Sequence, residues 1–109
     1  MQKTIRQGDV VLIEVDSIPE GAVEIQPTKE NKIILAFGEV TGHHHRFEDV
    51  TEDNPTVKMW AVGMVKYIEV MTPIMLKHEE HKALNVLPGI YKLPMQVQYS
   101  PKELQRVLD

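Results

Sequence analysis

The chain has 109 residues, 42% of them apolar and 26% charged, which is ordinary for one soluble globular domain spanning residues 1–109. Its net charge of −4 makes nucleic acid a poor partner, and the absence of cysteine excludes disulfides, thiolate metal sites and iron–sulfur clusters. Because no apolar stretch approaches the ~20 residues that cross a bilayer, and the N-terminus lacks the apolar core of a signal peptide, we expect a cytoplasmic protein without a membrane segment.

Most of the chain reads as short strands separated by turns. The segments are β-branched or alternate between apolar and polar residues, and glycine, proline, aspartate and asparagine bound them. Gly63 separates two of these strands and predicts a bulge or a very tight bend. The predicted strands span residues 10–15, 22–26, 32–37, 57–62, 64–70, 74–76, 83–87, 90–93 and 95–99.

One helix is predicted, at the C-terminus. Ser100 stands at the N-cap, Pro101 at the first helical position and Glu103 at the third, which is a capping box with the favoured proline. The helix should cover about residues 101–108. Together these elements predict an all-β fold, mainly an antiparallel sandwich or a small barrel, with a short C-terminal helix.

All five histidines fall in two clusters, and this is the most informative feature of the sequence. On a strand, His43 and His45 would point to one face and His44 to the other, where it is not expected to be a ligand. The spacing of His78 and His81 suits one helical turn or a tight loop. A divalent metal (zinc, manganese or iron) could therefore be held by His43, His45, His78 and His81.

Charged residues beside the clusters suggest further roles. Glu79 or Glu80 could be a fourth ligand, could fix a histidine tautomer, or could act as a catalytic proton acceptor. Arg46 could bind the carboxylate or phosphate of a ligand, although an exposed salt bridge is an equal alternative. The clusters could also form a histidine-lined pocket or interface without metal, or could have no special role.

Part of this pattern resembles the first motif of the cupins. That motif consists of a glycine, about five residues, His-x-His and then an acidic residue, and Gly38, His43, His45 and Asp49 match it within one residue. The resemblance implies a jelly-roll-like fold with a histidine-based metal site. The second cupin motif, in which a histidine follows a Pro-x-Gly turn, is not matched, since the histidines precede Pro88-Gly89 here.

Nearly the whole chain is similar to a group of small bacterial and phage proteins whose function is unassigned. The resemblance implies no activity, but it favours His43 and His45 as the working pair of the triplet. It rests on the segments Arg6–Val10, Gly38–Arg46, His78–His81, Pro88–Tyr91 and Tyr99–Pro101.

Two functional hypotheses follow from these observations. The first is a metal-binding β-domain, as in a metal-dependent hydrolase, in which Glu79 or Glu80 accepts a proton. The second is a non-enzymatic homo-oligomeric assembly or a module for a small anionic ligand, in which the histidine face forms a pocket or a subunit contact. A small-molecule ligand and a homo-oligomer are the expected partners.

Overall fold

The computed structural model describes residues 3–37, 42–51, 53 and 55–94, and all of its regular secondary structure is β. These residues contain no helix, and none of them forms a helix able to cross a membrane. The predicted helix at about 101–108 and the predicted strand 95–99 lie outside the described residues. The strands are β1 (Thr4–Gln7), β2 (Val10–Val15), β3 (Val23–Ile25), β4 (Ile33–Phe37), β5 (His44–Phe47), β6 (Val57–Val62), β7 (Val65–Val70), β8 (Ile74–Leu76), β9 (Leu84–Val86) and β10 (Gly89–Leu93).

Six strands form one antiparallel sheet in the order β1-β2-β10-β7-β6-β3. The register of β6 and β7 places Val62 opposite Val65, so Gly63 and Met64 make a two-residue turn. Gly63 has a φ of 60°, and its predicted role as a tight bend is confirmed. Within the described residues β1 and β3 each pair with one neighbour, so this sheet does not close and the predicted barrel alternative is wrong.

The remaining strands form two hairpins, β4–β5 and β8–β9. An isolated antiparallel bridge between Arg46 and Lys77 connects them. The Arg46 N–H donates to the Lys77 carbonyl oxygen at 3.0 Å, and the Lys77 N–H donates to the Arg46 carbonyl oxygen at 2.9 Å. This bridge fixes the position of β5 relative to the segment that follows β8.

The six-stranded sheet and the two hairpins share one hydrophobic core. In several strands buried side chains alternate with less buried ones. In β5 the second and fourth side chains are buried, and in β6 the first and third. The fully buried side chains include Leu12, Ile68 and Tyr91 from the large sheet, and Phe47 and Leu76 from the hairpins. The predicted all-β, antiparallel class is therefore confirmed.

Candidate metal site

Strand β5 contains His44 and His45 of the first histidine cluster and buries the second of them. The side chains of His45 and Phe47 are buried, whereas those of His44 and Arg46 lie on the opposite face and are partly exposed. His45 is only 4% exposed, which is unusual for a titratable side chain. Because β5 begins at His44, His43 precedes the strand and the strict alternation of side chains does not extend to it.

The bridge between Arg46 and Lys77 brings the second cluster to the first. In an antiparallel register, the residue before Arg46 lies opposite the residue after Lys77, so His45 comes to face His78. The two ring centroids are 4.3 Å apart. The meeting of the two clusters, which the sequence alone could not establish, follows from this pairing.

Three histidines converge at this point: His45, His78 and His81. One ring nitrogen from each lies within 4.8 Å of those of the other two, so the group could hold a metal ion. The centroids of His78 and His81 are 4.6 Å apart, and those of His45 and His81 are 5.7 Å apart. His45 is buried, His78 is half-buried and His81 is exposed, so an ion could reach the group from the side of His81.

Gln7, the last residue of β1, supports this group from inside the protein. It is 3% exposed, and its Oε1 lies 2.8 Å from His45 Nδ1. Its Nε2 donates to the Leu76 carbonyl oxygen at 2.8 Å and to the Lys82 carbonyl oxygen at 3.0 Å. A single side chain therefore contacts both hairpin segments that carry the three histidines.

Gly8, in the turn between β1 and β2, lies directly against His81. A Cβ atom at this position would be 2.5 Å from His81 Nε2 and 2.9 and 3.0 Å from the two flanking ring carbons. Since these three distances are similar, the added atom would stand over the face of the ring rather than in its plane. Gly8 therefore lets the ring of His81 pack closely against the backbone while leaving the in-plane approach to Nε2 open.

Burial and the proximity of neighbouring rings lower the pKa values of two of the ligand candidates, His45 and His78. Burial, with the nearby His78 and His81 rings, lowers the pKa of His45 from 6.5 to about 4. Burial and the proximity of His81 also lower the pKa of His78. Because metals bind the neutral imidazole, both shifts favour the form that can coordinate an ion at neutral pH.

His43 lies beside the three-histidine group rather than within it. Its ring centroid is 5.9 Å from that of His78 in an edge-on orientation. Its Nδ1 lies 3.7 Å from Oε1 of Glu80, whose side chain is largely exposed. His43 as a metal ligand and Glu80 as a proton acceptor remain predictions.

Arg46 and Glu79 belong to an ion-pair network on the outer face of β5. Arg46 Nε lies 2.9 Å from Glu48 Oε2, and Arg46 Nη1 lies 3.1 Å from Glu79 Oε2. Lys77 extends the network to Glu48 at 3.2 Å. The charge of Arg46 is thus balanced by two carboxylates within the protein itself, and its role in ligand binding remains a prediction.

Glu79 is also hydrogen-bonded to the backbone of the first cluster. The His44 N–H donates to Glu79 Oε1 at 2.9 Å, and this bond, with the nearby Arg46 guanidinium, lowers the pKa of Glu79 to about 2. A carboxylate with so low a pKa is a weak base. The contacts of Glu79 are those of a residue that fixes the second cluster against β5, while its predicted catalytic role is untested.

His78 already accepts a hydrogen bond in this structure. The Glu80 N–H donates to His78 Nδ1 at 3.0 Å. The proton of a neutral His78 is therefore on Nε2. Coordination of a metal through either nitrogen of His78 would require this hydrogen bond to be given up.

Sequence reasoning missed Gln7 and Gly8. Both lie in the Arg6–Val10 segment of the resemblance, where Gly8 also bounds the predicted strand 10–15. Read locally, a Gln-Gly-Asp stretch between strands indicates a hairpin turn and nothing more. Asp49, the acidic residue of the cupin-like pattern, is exposed and lies outside the three-histidine group.

The fold and this group define a class of protein: a small antiparallel β-domain with three clustered histidines that could hold a metal ion. The chain belongs to a family described as a domain of unknown function, DUF8820, whose model matches residues 6–96. No curated protein and no solved structure matches the chain.

Proposed function

We propose that this protein binds a divalent transition metal through His45, His78 and His81. The observation that carries the proposal is the convergence of three histidine nitrogens within 4.8 Å of one another. Zinc is the first candidate, since imidazole nitrogen suits it and no thiolate is available. Manganese and iron are the other two metals to be tested.

A site of three neutral nitrogen ligands suits chemistry better than a purely structural role. Catalytic zinc sites typically use three protein ligands and leave a position for water or substrate, whereas structural sites use four. A bound divalent ion would supply Lewis-acid chemistry, including activation of water for hydrolysis. The exposed side of the group, at His81, would give a substrate access.

Of the two candidate proton acceptors, Glu80 is better suited than Glu79. Glu79 is held by Arg46 and by the His44 N–H, and its pKa of about 2 makes it a weak base. Glu80 is largely exposed, and its carboxylate Oε1 lies 3.7 Å from His43 Nδ1. In this proposal His43 and Glu80 form a pair beside the metal rather than a part of its ligand set.

A two-layer sandwich is the architecture we propose to accompany this function. The six-stranded sheet would form one layer, and the bridged hairpins β4–β5 and β8–β9 the other. The shared hydrophobic core supports this arrangement. The histidines would then lie where the second layer meets the β1–β2 turn, which is compatible with the cupin-like position of His45.

The alternative of an anion-binding or assembly module is less well supported. In that alternative Arg46 would bind the anion, but its guanidinium already forms ion pairs with Glu48 and Glu79. The predicted homo-oligomer and small-molecule ligand remain predictions.

Titration of the metal-free protein with Co²⁺, followed by absorption spectroscopy, tests the proposal. We expect one equivalent to bind with a four- or five-coordinate spectrum, and zinc to displace it. His45→Ala, His78→Ala and His81→Ala should each abolish the signal, whereas His43→Ala, the matched control, should retain it. Loss of the signal in His43→Ala would refute the three-ligand set and favour four histidines, and its absence in the wild type would refute metal binding.

A further inference from the structure

We propose that Gln7 is the positioning residue of the histidine site. Its buried amide sets the tautomer of His45 and holds the segment that carries His78 and His81. Neither role follows from the convergence of the three histidines, and the first can be measured without any metal.

The hydrogen bonds of Gln7 determine where the proton of His45 lies. The two N–H groups of Gln7 Nε2 are both donated, to the carbonyl oxygens of Leu76 and Lys82, which can only accept. Gln7 Oε1 therefore faces His45 Nδ1, 2.8 Å away, and must accept its proton. Neutral His45 is thus protonated on Nδ1 and carries a lone pair on Nε2.

The reverse orientation of the amide is disfavoured on electrostatic grounds. Rotating it by 180° would place Oε1 against two carbonyl oxygens, and none of these three acceptors would then receive a proton from the amide. A buried polar group without a partner costs about 1–3 kcal/mol. The two backbone carbonyls thereby dictate the tautomer of a histidine located elsewhere in the chain.

The same two carbonyls bracket the second histidine cluster. Leu76 and Lys82 lie just before and just after the segment 77–81, which contains His78 and His81. By binding both ends, Gln7 restrains the spread of this segment and fixes its position relative to His45. One amide is therefore bonded to one ligand candidate and to both flanks of the other two.

The role of Gln7 toward a metal rests on the proposed function, whereas its control of the His45 tautomer does not. Metal-binding histidines typically donate their second N–H to a protein oxygen, which fixes the ring and its tautomer. Loss of such a partner lowers metal affinity by about 10- to 100-fold. Gln7 has the position and the acceptor atom that this role needs.

Nitrogen-15 NMR of the imidazole rings in the metal-free wild type tests the tautomer directly. At about pH 7.5 we expect His45 to show a protonated Nδ1 and an unprotonated Nε2. The His45 signals are assigned as those that are missing from the spectrum of His45→Asn. A His45 ring protonated mainly on Nε2 would overturn the proposal. This result is independent of metal binding, so it separates a failure of the Gln7 assignment from a failure of the proposed function.

Variants of Gln7 test the positioning role. Gln7→Met removes the acceptor, and we expect the Nε2-protonated form of His45 to appear and zinc affinity to fall by about 10- to 100-fold. Gln7→Glu keeps an acceptor for His45 but loses both donors to the Leu76 and Lys82 carbonyl oxygens, so it should keep the Nδ1-protonated form while losing the restraint on the segment 77–81. Gln26→Met, at an exposed glutamine, is the control and should change neither measurement.

Unchanged zinc affinity and an unchanged tautomer in Gln7→Met would overturn the positioning role. If the variant does not fold, the tautomer of the wild type alone decides the assignment. If the wild type binds no zinc, the proposed function fails, and the tautomer still decides whether Gln7 controls His45.

Discussion

Replacing Gly8 by alanine should weaken metal binding far more than it weakens the fold. Gly8 is the first residue of the two-residue turn between β1 and β2, and its φ is 57°. Gly63 occupies the equivalent position in the turn between β6 and β7, with a φ of 60°. The two positions have nearly the same backbone conformation but different surroundings, so Gly63→Ala is a matched control.

The difference between the two sites is steric. A Cβ atom at Gly63 meets nothing within 4 Å, whereas at Gly8 it would be 2.5 Å from His81 Nε2. Since ordinary contacts begin at 3.4 Å, the ring of His81 would have to retreat by the difference, 0.9 Å. Metal–ligand distances tolerate deviations of only about 0.2 Å, so a shift of this size should disrupt coordination by His81.

The expected energies follow from these distances. Alanine at positive φ costs roughly 1–2 kcal/mol, and replacing glycine returns part of this cost by lowering the conformational entropy of the unfolded chain. Both variants should therefore be less stable than the wild type by about 1 kcal/mol. The exposed His81 ring can move, so the clash should add little to this loss. Zinc affinity should fall by about 10- to 100-fold in Gly8→Ala and stay within about twofold of the wild type in Gly63→Ala.

Urea unfolding in the presence of a chelator, combined with competitive zinc titration, measures both quantities. Equal zinc affinities for the two variants would refute the inference that the His81 ring needs a glycine at position 8 to reach its coordinating position. A much larger loss of stability in Gly8→Ala than in Gly63→Ala would show instead that the clash disrupts the hairpin itself.

Two further predictions concern protons at the site. Metal-free protein should lose about 2 kcal/mol of unfolding free energy between pH 7 and pH 5, because the pKa of His45 is about 4 in the folded state and 6.5 in the unfolded state, which therefore binds the additional proton. Urea unfolding at both pH values measures this loss. The same loss of stability in His45→Gln would contradict the prediction. Zinc should also accelerate amide hydrogen exchange at Glu80, because its N–H is hydrogen-bonded to His78 Nδ1 in the metal-free structure and coordination by His78 would break that bond. Unchanged or slower exchange would argue against His78 as a ligand.

The sequence was sufficient to predict the class of the fold. Val57–Val62 is a short, mainly apolar segment that ends at Gly63, a pattern typical of a strand, and the predicted bounds of β6 agree with those observed. Gly63 marked the turn because a two-residue hairpin requires positive φ there. These are local properties, so a local reading of the sequence identifies them.

The site depends on pairings between distant parts of the chain, which local patterns do not encode. Gln7 lies 38 residues from His45 and 69 residues from Leu76 in sequence, so nothing near it indicates that its amide joins them. The position of Glu79 beside Arg46 likewise follows from a long-range contact, the backbone bridge between Arg46 and Lys77. His43 stands apart from the three-histidine group because β5 starts one residue after it.

The most direct test of the central claim is elemental analysis by mass spectrometry of tag-free protein purified without added metal or chelator. The proposal predicts about one equivalent of zinc, manganese or iron per chain in the wild type and none in His45→Ala. Protein that contains no metal, and that takes up none when these ions are added, would contradict the claim that His45, His78 and His81 form a metal site.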